Sequence, residues 1–280
     1  MSSPRRGRRP LLLALTAVVA LTVASVTPAL AITDGQPDGD GHPYVGLMIA
    51  KDASGTPLWR CSGTMMSATV FMTAGHCTEA PAASVEIWFD AGPVPFGNWT
   101  GGPCARSSGY PCKGDASGKP HTHPDYDPNA FYFRDLGVVV LNKAVKMKTY
   151  GKLPARDSLD ALKPSNSTRF TAVGYGLQRS SPSPIAFLTS AIRERMYAEP
   201  HLLQINTGFT GDFSLLLSNN ASSGGTCFGD SGGPNFVGSS NVVAAVTSFG
   251  LNSTCGGTGG VFRVDRGFSL DWLAEFGLTP

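Results

Sequence analysis

The sequence lacks a strong excess of charge of either sign. Its 22 lysines and arginines nearly balance its 20 aspartates and glutamates, which gives a formal net charge of +2. Residues 1–31 contain four arginines (Arg5, Arg6, Arg8 and Arg9) and no acidic residue, so the rest of the chain has a net charge of −2. A chain this close to neutrality offers no basic face to nucleic acid. We therefore expect no nucleic-acid partner.

The sequence also lacks an N-terminal apolar run long enough to span a membrane. The apolar stretch at residues 11–26 is shorter than the roughly 20 residues that a bilayer requires. Arginines precede it, and Ala-Leu-Ala follows at residues 29–31, which is typical of a secretory signal peptide. We predict a signal peptide over residues 1–31 and a secreted, extracellular protein without a stable membrane span after cleavage. The arginine pair leaves Sec and twin-arginine export both open.

The six cysteines lack the paired spacing of a metal site. In an exported chain they predict three disulfide bonds, and the sequence alone permits fifteen pairings. A zinc site that combines cysteines with His121 and His123 is the alternative, which the spacing and an oxidising compartment disfavour. Four aspartates could bind calcium but lack the spacing of a calcium loop: Asp90, Asp115, Asp125 and Asp127. We expect no metal and no organic cofactor.

Short apolar runs between clusters of Gly, Pro, Ser and Thr predict an all-β protein. The length suits one compact unit of two subdomains with a sizeable core. Long loops are predicted at residues 91–127 and 178–190. The predicted strands are residues 44–50, 64–73, 85–89, 136–141, 169–174 and 242–249.

The segment Gly229-Asp230-Ser231-Gly232-Gly233 carries the most chemical information. A serine between glycines presents its hydroxyl on a backbone that can bend sharply and approach a substrate closely. The amides of Gly229 and Ser231 could converge on an anionic oxygen, as an oxyanion hole requires. A glycine-rich turn without a catalytic role is the alternative for this segment alone.

Two further residues turn this segment into a catalytic hypothesis. His76 lies in Thr-Ala-Gly-His-Cys, and Asp135 begins the apolar run Asp-Leu-Gly-Val-Val-Val-Leu. Nucleophilic acyl transfer needs a serine activated by a histidine, which an aspartate orients. The alternatives are that His76 is a packed loop residue and that Asp135 only caps a strand. Asp125 and Asp127 compete for the orienting role.

These motifs resemble the chymotrypsin/trypsin family of serine endopeptidases, in its bacterial, secreted type. The similarity extends from about residue 32 to the C-terminus and includes residues 32–35, 61–63, 74–77, 123–127, 174–176, 248–250, 260–262 and 268–276. The resemblance implies two antiparallel six-stranded β-barrels, with the active site between them and a short C-terminal helix. The barrels would occupy about residues 32–150 and about 151–280 of one peptidase domain.

The resemblance also implies catalytic roles. Ser231 would be the nucleophile, His76 the general base and Asp135 the group that orients it, with Gly229 and Ser231 forming the oxyanion hole. Cleavage after residue 31 would free the amine of Ile32 to pair with Asp230. Export and activation would then be a single cut.

The same resemblance selects disulfide pairings and a substrate pocket. It pairs Cys61 with Cys77 and Cys227 with Cys255, which leaves Cys104 and Cys112 to close a short loop. The implied pocket residues are Gly225, Thr226, Phe228, Ser248, Phe249, Gly250 and Gly260.

The pocket departs from the trypsin pattern. Trypsin-like members carry an aspartate where this chain has Gly225, and glutamate-specific members carry a histidine where it has Thr247. An open, uncharged slot suggests a preference for apolar or aromatic side chains, with Phe228 over its mouth.

We therefore expect a monomeric endopeptidase whose partners are protein or peptide substrates and protein protease inhibitors. A non-catalytic binding protein on the same scaffold is one alternative. An esterase that uses the same three residues is another, because the acyl chemistry is shared.

Overall fold

The structure, a computed structural model, describes residues 32–94, 113–130, 132–179 and 192–280. The predicted signal peptide and the cysteines Cys104 and Cys112 lie outside these ranges. Within them, no helix combines the length and the apolar character that a membrane crossing requires.

Strands dominate the described ranges and form two closed barrels, with one α-helix near the C-terminus. The strands, numbered in chain order, are β1 (Gln36–Pro37), β2 (Val45–Lys51), β3 (Pro57–Met65), β4 (Val70–Thr73), β5 (Ser84–Trp88), β6 (Ala116–Thr122), β7 (Gly137–Leu141), β8 (Ser165–Gly174), β9 (Met196–Ala198), β10 (His201–Ile205), β11 (Ser214–Asn219), β12 (Pro234–Val237), β13 (Val243–Gly250) and β14 (Gly257–Arg263). Helix α1 spans Gly267–Ala274.

The first barrel closes in the order β2-β3-β4-β7-β6-β5. The second contains β8-β10-β11-β14-β13-β12 and closes because β12 also pairs with β8. All strand pairs are antiparallel. The prediction of an all-β chain with two six-stranded barrels and a C-terminal helix is therefore confirmed.

Two short strands extend the second barrel. Strand β9 pairs with β8, and β1 pairs with β9. The residues that follow the predicted signal peptide thus join the sheet of the second barrel, although they precede the first barrel in sequence.

Apolar side chains from alternate strand positions fill the first barrel. Leu47, Phe71, Ile87 and Val139 are completely buried and belong to one cluster, which continues into the second barrel through Phe236. Burial of each such side chain stabilises the fold by roughly 1.5–3 kcal/mol. A shared core of this kind holds the two barrels together and positions the cleft between them.

Two sequence-based predictions of local structure were wrong. The single strand predicted at residues 64–73 is two strands, because the Met66 N–H donates to the Val70 carbonyl at 2.8 Å and the chain turns there. The predicted loop at residues 91–127 contains β6, which pairs with both β5 and β7. Its sequence, Ala-Ser-Gly-Lys-Pro-His-Thr, has little strand character by itself, so its neighbours determine its conformation.

Candidate active site

Strand register brings His76 and Asp135 to the same end of the first barrel. In the β4–β7 pair, Thr73 lies opposite Gly137. His76 follows Thr73 in a short 3-10 turn, Gly75–Cys77, and Asp135 precedes Gly137. A Cβ on Gly75 would lie 3.2 Å from Asp135 Oδ1. Glycine at this position therefore allows the close approach of the two segments.

The Asp135 carboxylate is fully buried and holds both the ring and the backbone of His76. Nδ1 of His76 lies 2.9 Å from Oδ2 and 3.1 Å from Oδ1, and the His76 N–H donates to Oδ1 at 2.9 Å. Ser248 Oγ donates to Oδ2 at 2.5 Å. A buried carboxylate needs such partners to offset its desolvation. The position and orientation of the imidazole are thus specified before any substrate binds.

The same contact tunes the basicity of His76. Burial disfavours the charged ring, but the charge and the hydrogen bond of Asp135 outweigh that effect, so the pKa of His76 is raised above its ordinary value. The side chain of His76 is still 22% exposed. Its ring can therefore exchange protons with a bound substrate.

Ser231 lies on the second barrel at the rim of the same cleft. The Ser231 carbonyl accepts from the Ser62 N–H of β3 at 2.8 Å. The next residue, Gly232, has a φ of +75° and packs so tightly that a Cβ would collide with Thr73 Oγ1 and lie 2.6 Å from the Ala74 nitrogen. Thr73 and Ala74 lead directly into the His76 turn. The structure thus brings the serine segment against the histidine segment.

The peptide before Gly229 is oriented by the loop after β8. The Leu177 N–H donates to the Phe228 carbonyl at 2.8 Å. Because the C=O and N–H of a trans peptide point in opposite directions, the Gly229 N–H is turned away from Leu177. The Gly229 carbonyl in turn accepts from Ser62 Oγ at 2.9 Å, and the φ angle of Gly229 is +96°. Glycine suits this left-handed backbone conformation.

Asp230 is fully buried, and backbone groups surround its carboxylate. Its Oδ1 accepts from the Gly176 N–H at 2.7 Å and its Oδ2 from the Cys227 N–H at 2.9 Å. A Cβ on Gly174 or on Gly176 would collide with the carboxylate, which accounts for both glycines of the Gly-Tyr-Gly motif. Burial outweighs the two hydrogen bonds and the charge of Arg60, and raises the pKa of Asp230 to about 7.

Ile32 and Asp230 both pack against the same face of strand β8. The Ile32 side chain is completely buried in a small cluster with Ala172, and residues 172 and 174 project to the same side of a strand. In the full-length chain the Ile32 nitrogen is part of a peptide bond. The uncut chain therefore has no amine at this position with which to neutralise the Asp230 carboxylate.

One disulfide bond lies on each side of the cleft. Cys61 is bonded to Cys77 beside His76, and Cys227 is bonded to Cys255 beside the pocket. These are the pairings that the resemblance implied. His76 lies with Cys61 and Cys77 in a metal-like cluster, but disulfide-bonded sulfurs are not thiolate ligands, so the cluster does not fit a zinc site.

A cavity of about 230 Å³ opens beside Ser231. Five of the predicted pocket residues line it, namely Thr226, Phe228, Ser248, Phe249 and Gly250. Gly260 lies under the Phe249 ring, where a Cβ would collide. Gly225 lies beside Asn219, whose side chain would meet a Cβ and whose Nδ2 donates to the Thr226 carbonyl at 2.7 Å. Among the residues that the structure describes, the lining contains no charged side chain.

The competing candidates have other contacts. Asp127 Oδ1 accepts from the Asn129 N–H, and the backbone N–H of Asp125 donates to His123 Nδ1. The His123 ring packs on Trp272 of α1, with ring centroids 5.1 Å apart, and the His121 ring packs on Phe276. The side chains of Asp127, His121 and His123 therefore have structural partners of their own.

Sequence reasoning missed two residues near the cleft and one role of a third. Asn219, at the end of β11, contacts Gly225 and donates to the Thr226 carbonyl. Arg60, on β3, lies against Gly229. Ser248 was assigned to the pocket but also binds Asp135. No local motif marks Asn219 or Arg60, because distant strands bring them to the site.

Comparisons with known proteins agree with this arrangement. The family model described as "Trypsin" matches residues 35–272. "Trypsin alpha" from Drosophila melanogaster is 26% identical over 216 residues, 77% of each chain. "Serine protease 1" from the same fly is 25% identical over 250 residues, 87% of this chain and 84% of the relative. Since these relatives are insect proteins, they do not support the expectation of a bacterial type.

Solved structures show the same fold. HL collagenase superimposes with a TM-score of 0.66 at 19% identity, covering 89% of this chain and all of the collagenase chain. Human heparin binding protein gives a TM-score of 0.60 at 19% identity, covering 87% of this chain and 96% of its own. The matched family model spans most of the chain, both barrels included. The chain therefore belongs to the trypsin family and is a serine-type endopeptidase.

Proposed function

We propose that this chain is a secreted enzyme that hydrolyses peptide bonds with Ser231 as nucleophile, His76 as general base and Asp135 as the group that orients His76. The observation that carries the proposal is the bond network of Asp135, which joins the His76 ring to Ser248 of the pocket that Ser231 also lines. A base oriented beside a serine at the rim of an uncharged pocket is suited to acyl transfer.

The mechanism follows from these positions. The neutral His76 ring, with its Nδ1–H held by Asp135, takes the Ser231 hydroxyl proton on Nε2 as the oxygen attacks the substrate carbonyl. The N–H groups of Gly229 and Ser231 stabilise the oxyanion. The imidazolium then gives its proton to the leaving amine, which leaves an acyl-enzyme. Water, deprotonated by the same ring, releases the acid and restores the serine.

The pocket favours an apolar or aromatic side chain before the scissile bond. Phe249 forms one wall, Gly250 leaves the entrance open, and none of the described lining residues carries a carboxylate. A lysine or arginine would lose its hydration in this cavity and gain no counter-charge. Phe228, 54% exposed, lies at the cavity and can cover a bound ring.

Activation by the export cut completes the proposal. Cleavage after residue 31 converts the Ile32 nitrogen to an ammonium group. This group lies on the face of β8 against which the Asp230 side chain packs. The resulting ion pair neutralises a carboxylate that now relies on two backbone N–H groups. Peptide and protein substrates, protein protease inhibitors and a monomeric state are the partners and assembly that fit a secreted enzyme of this kind.

Labelling with a fluorophosphonate tests the nucleophile. We expect the secreted protein to incorporate one label and to digest a denatured protein, and both activities to disappear in Ser231→Ala. A secreted, folded protein that neither labels nor digests would indicate the non-catalytic binding protein. Labelling together with hydrolysis of esters, but not of peptides, would indicate the esterase. N-terminal sequencing of the secreted form should begin at Ile32.

A further inference from the structure

A guanidinium group lies directly against the proposed oxyanion loop. A Cβ on Gly229 would lie 2.7, 2.8 and 3.1 Å from Nη2, Nε and Cζ of Arg60. Arg60 is half-buried on β3, and the charge of its guanidinium acts on Asp230. The positive charge is thus fixed next to the residues proposed to bind the oxyanion.

Strand geometry places Arg60 along the loop. Arg60 and Ser62 are two residues apart on β3, so they project to the same face. The Ser62 hydroxyl donates to the Gly229 carbonyl at 2.9 Å, and the Ser62 backbone N–H donates to the Ser231 carbonyl at 2.8 Å. That face of β3 therefore runs beside the serine loop, with Arg60 at its Gly229 end.

Arg60 is not part of the pocket lining. The pocket, which takes the side chain before the scissile bond, is lined by Phe228, Ser231 and other residues of the second barrel. The leaving amine must lie within reach of His76, on the first barrel. Cys61, the neighbour of Arg60, is bonded to Cys77, the neighbour of His76. A substrate segment that leaves toward His76 is therefore on the same barrel as Arg60.

We propose that Arg60 is a specificity-determining residue that binds a side-chain carboxylate within the first two substrate residues after the scissile bond. This inference rests on the proposed function and extends it to the leaving side of the substrate. A guanidinium binds carboxylates through paired N–H donors. The Asp230 carboxylate does not compete for a substrate position, because it is fully buried and bound by backbone N–H groups.

Matched substrates test the proposal. They are amidated, internally quenched peptides with phenylalanine before the scissile bond and Asp, Ala or Lys at the two positions after it, plus a phenylalanyl anilide with no residue after the bond. For the native enzyme we expect kcat/KM to be about two- to fivefold higher with Asp than with Ala, and lowest with Lys, as one partly exposed ion pair allows. Arg60→Gln should abolish this ratio, Arg60→Lys should retain part of it, and Arg60→Glu should invert it.

The anilide separates substrate recognition from other roles. If Arg60 binds the substrate carboxylate, Arg60→Gln lowers kcat/KM for the Asp peptide about two- to fivefold more than for the anilide. Equal losses on the anilide and on all peptides would overturn the proposal, because they would mean that Arg60 acts on the oxyanion hole or on the fold. Arg156→Gln is the matched control, since Arg156 is 52% exposed and paired with Asp271 far from the cleft in the fold. It should preserve the Asp-to-Lys ratio.

A binding measurement distinguishes failure of this inference from failure of the proposed function. Kd values of the same peptides are measured on Ser231→Ala and on the double variant with Arg60→Gln. Tighter binding of the Asp peptide that depends on Arg60 supports the inference even if no turnover is seen. Equal Kd values for the Asp and Lys peptides, with normal anilide turnover, overturn the inference and leave the proposed function intact.

Discussion

Two fully buried carboxylates lie on opposite sides of the cleft, and their surroundings differ. In the first barrel, Asp135 is bound by the His76 ring, the His76 backbone N–H and the Ser248 hydroxyl. In the second barrel, Asp230 is bound by two backbone N–H groups, from Gly176 and Cys227. Within the described residues, only Asp135 of these two therefore has an ionisable side chain as a hydrogen-bond partner.

This difference bears on the proposed activation by a cut after residue 31. Asp135 raises the pKa of His76 against the effect of burial, so the proposed base already has its partner while Ile32 is still part of a peptide bond. Burial raises the pKa of Asp230 itself to about 7, because its two backbone hydrogen bonds and the charge of Arg60 do not offset the desolvation. We infer that the Asp230 region is the part that an N-terminal cut can switch.

The largest expected effect comes from removing the Asp135 charge. We expect Asp135→Asn to lower kcat/KM roughly 10⁴-fold, because the His76 ring loses the group that selects its tautomer and stabilises its cation. Anilide hydrolysis at pH 8 measures the loss. Asp271→Asn, a change at a 70% exposed carboxylate on α1, should have no effect. Activity within tenfold of native in Asp135→Asn would contradict the role proposed for Asp135.

A stability measurement addresses the Asp230 region directly. It compares, in the Ser231→Ala background, a chain that begins at Ile32 with one that begins at Ala31, whose amine is displaced by one residue. In the longer chain the raised pKa of Asp230 means that the folded state keeps a proton that the unfolded state loses. Stability should therefore fall as the pH rises from about 4 to about 7, by on the order of 4 kcal/mol.

In the chain that begins at Ile32, the ammonium group should remove this decline. Its own contribution should be present at neutral pH and be lost as the pH rises through the raised pKa expected for a paired amine. Urea unfolding at pH 4, 5.5, 7, 8 and about 10 measures both curves, since an unperturbed α-amine already has a pKa near 8. Superimposable curves would show that the amine does not reach the buried carboxylate.

The Asp230→Asn variant tests whether the same carboxylate supports catalysis. We expect about a 10²-fold loss of kcat/KM in the secreted enzyme, comparable to the loss of one oxyanion donor, because the loop at residues 229–231 loses its anchor. The loss should appear in the labelling rate with fluorophosphonate as well. A native labelling rate would show that the loop is held without the ion pair.

A smaller effect is expected at Ser248. Its hydroxyl is one of the Asp135 partners and donates at 2.5 Å, so Ser248→Ala should lower kcat/KM about tenfold, as loss of a hydrogen bond to a charged group would. Ser240→Ala, at a hydroxyl in the turn between β12 and β13, is the control. A larger loss than in Asp135→Asn would mean that Ser248 mainly shapes the pocket.

The smallest effect is a shift of the pH profile. Because a protonated His76 cannot accept the serine proton, kcat/KM should fall on the acid side, with an apparent pKa above the ordinary value of about 6.5 for histidine. In Asp135→Asn the residual activity should show an acid limb at lower pH, since burial then acts without the carboxylate. A rate unchanged from pH 4 to pH 7 in the native enzyme would exclude His76 as the base.

Much of the fold and the candidate site could be predicted from local sequence. Short apolar runs between turn residues indicated an all-β chain, and the family resemblance implied the two barrels that the structure contains. Ser231, His76 and Asp135 each lie in a short motif, since a tight turn or a strand start constrains the neighbouring residues. Strand β6 was missed because the residues of Ala116–Thr122 have weak strand propensity and are held by two partner strands.

The sequence by itself determined which chemical groups this protein possesses and which local turns present them. Only the tertiary structure decided which groups meet. The β4–β7 register joins His76 to Asp135, and the packing of the two barrels brings Ser248 to Asp135 and Arg60 to Gly229. The physical reason is that turn conformation depends on residues a few positions apart, whereas these contacts join residues more than 50 positions apart and form only when the barrels close.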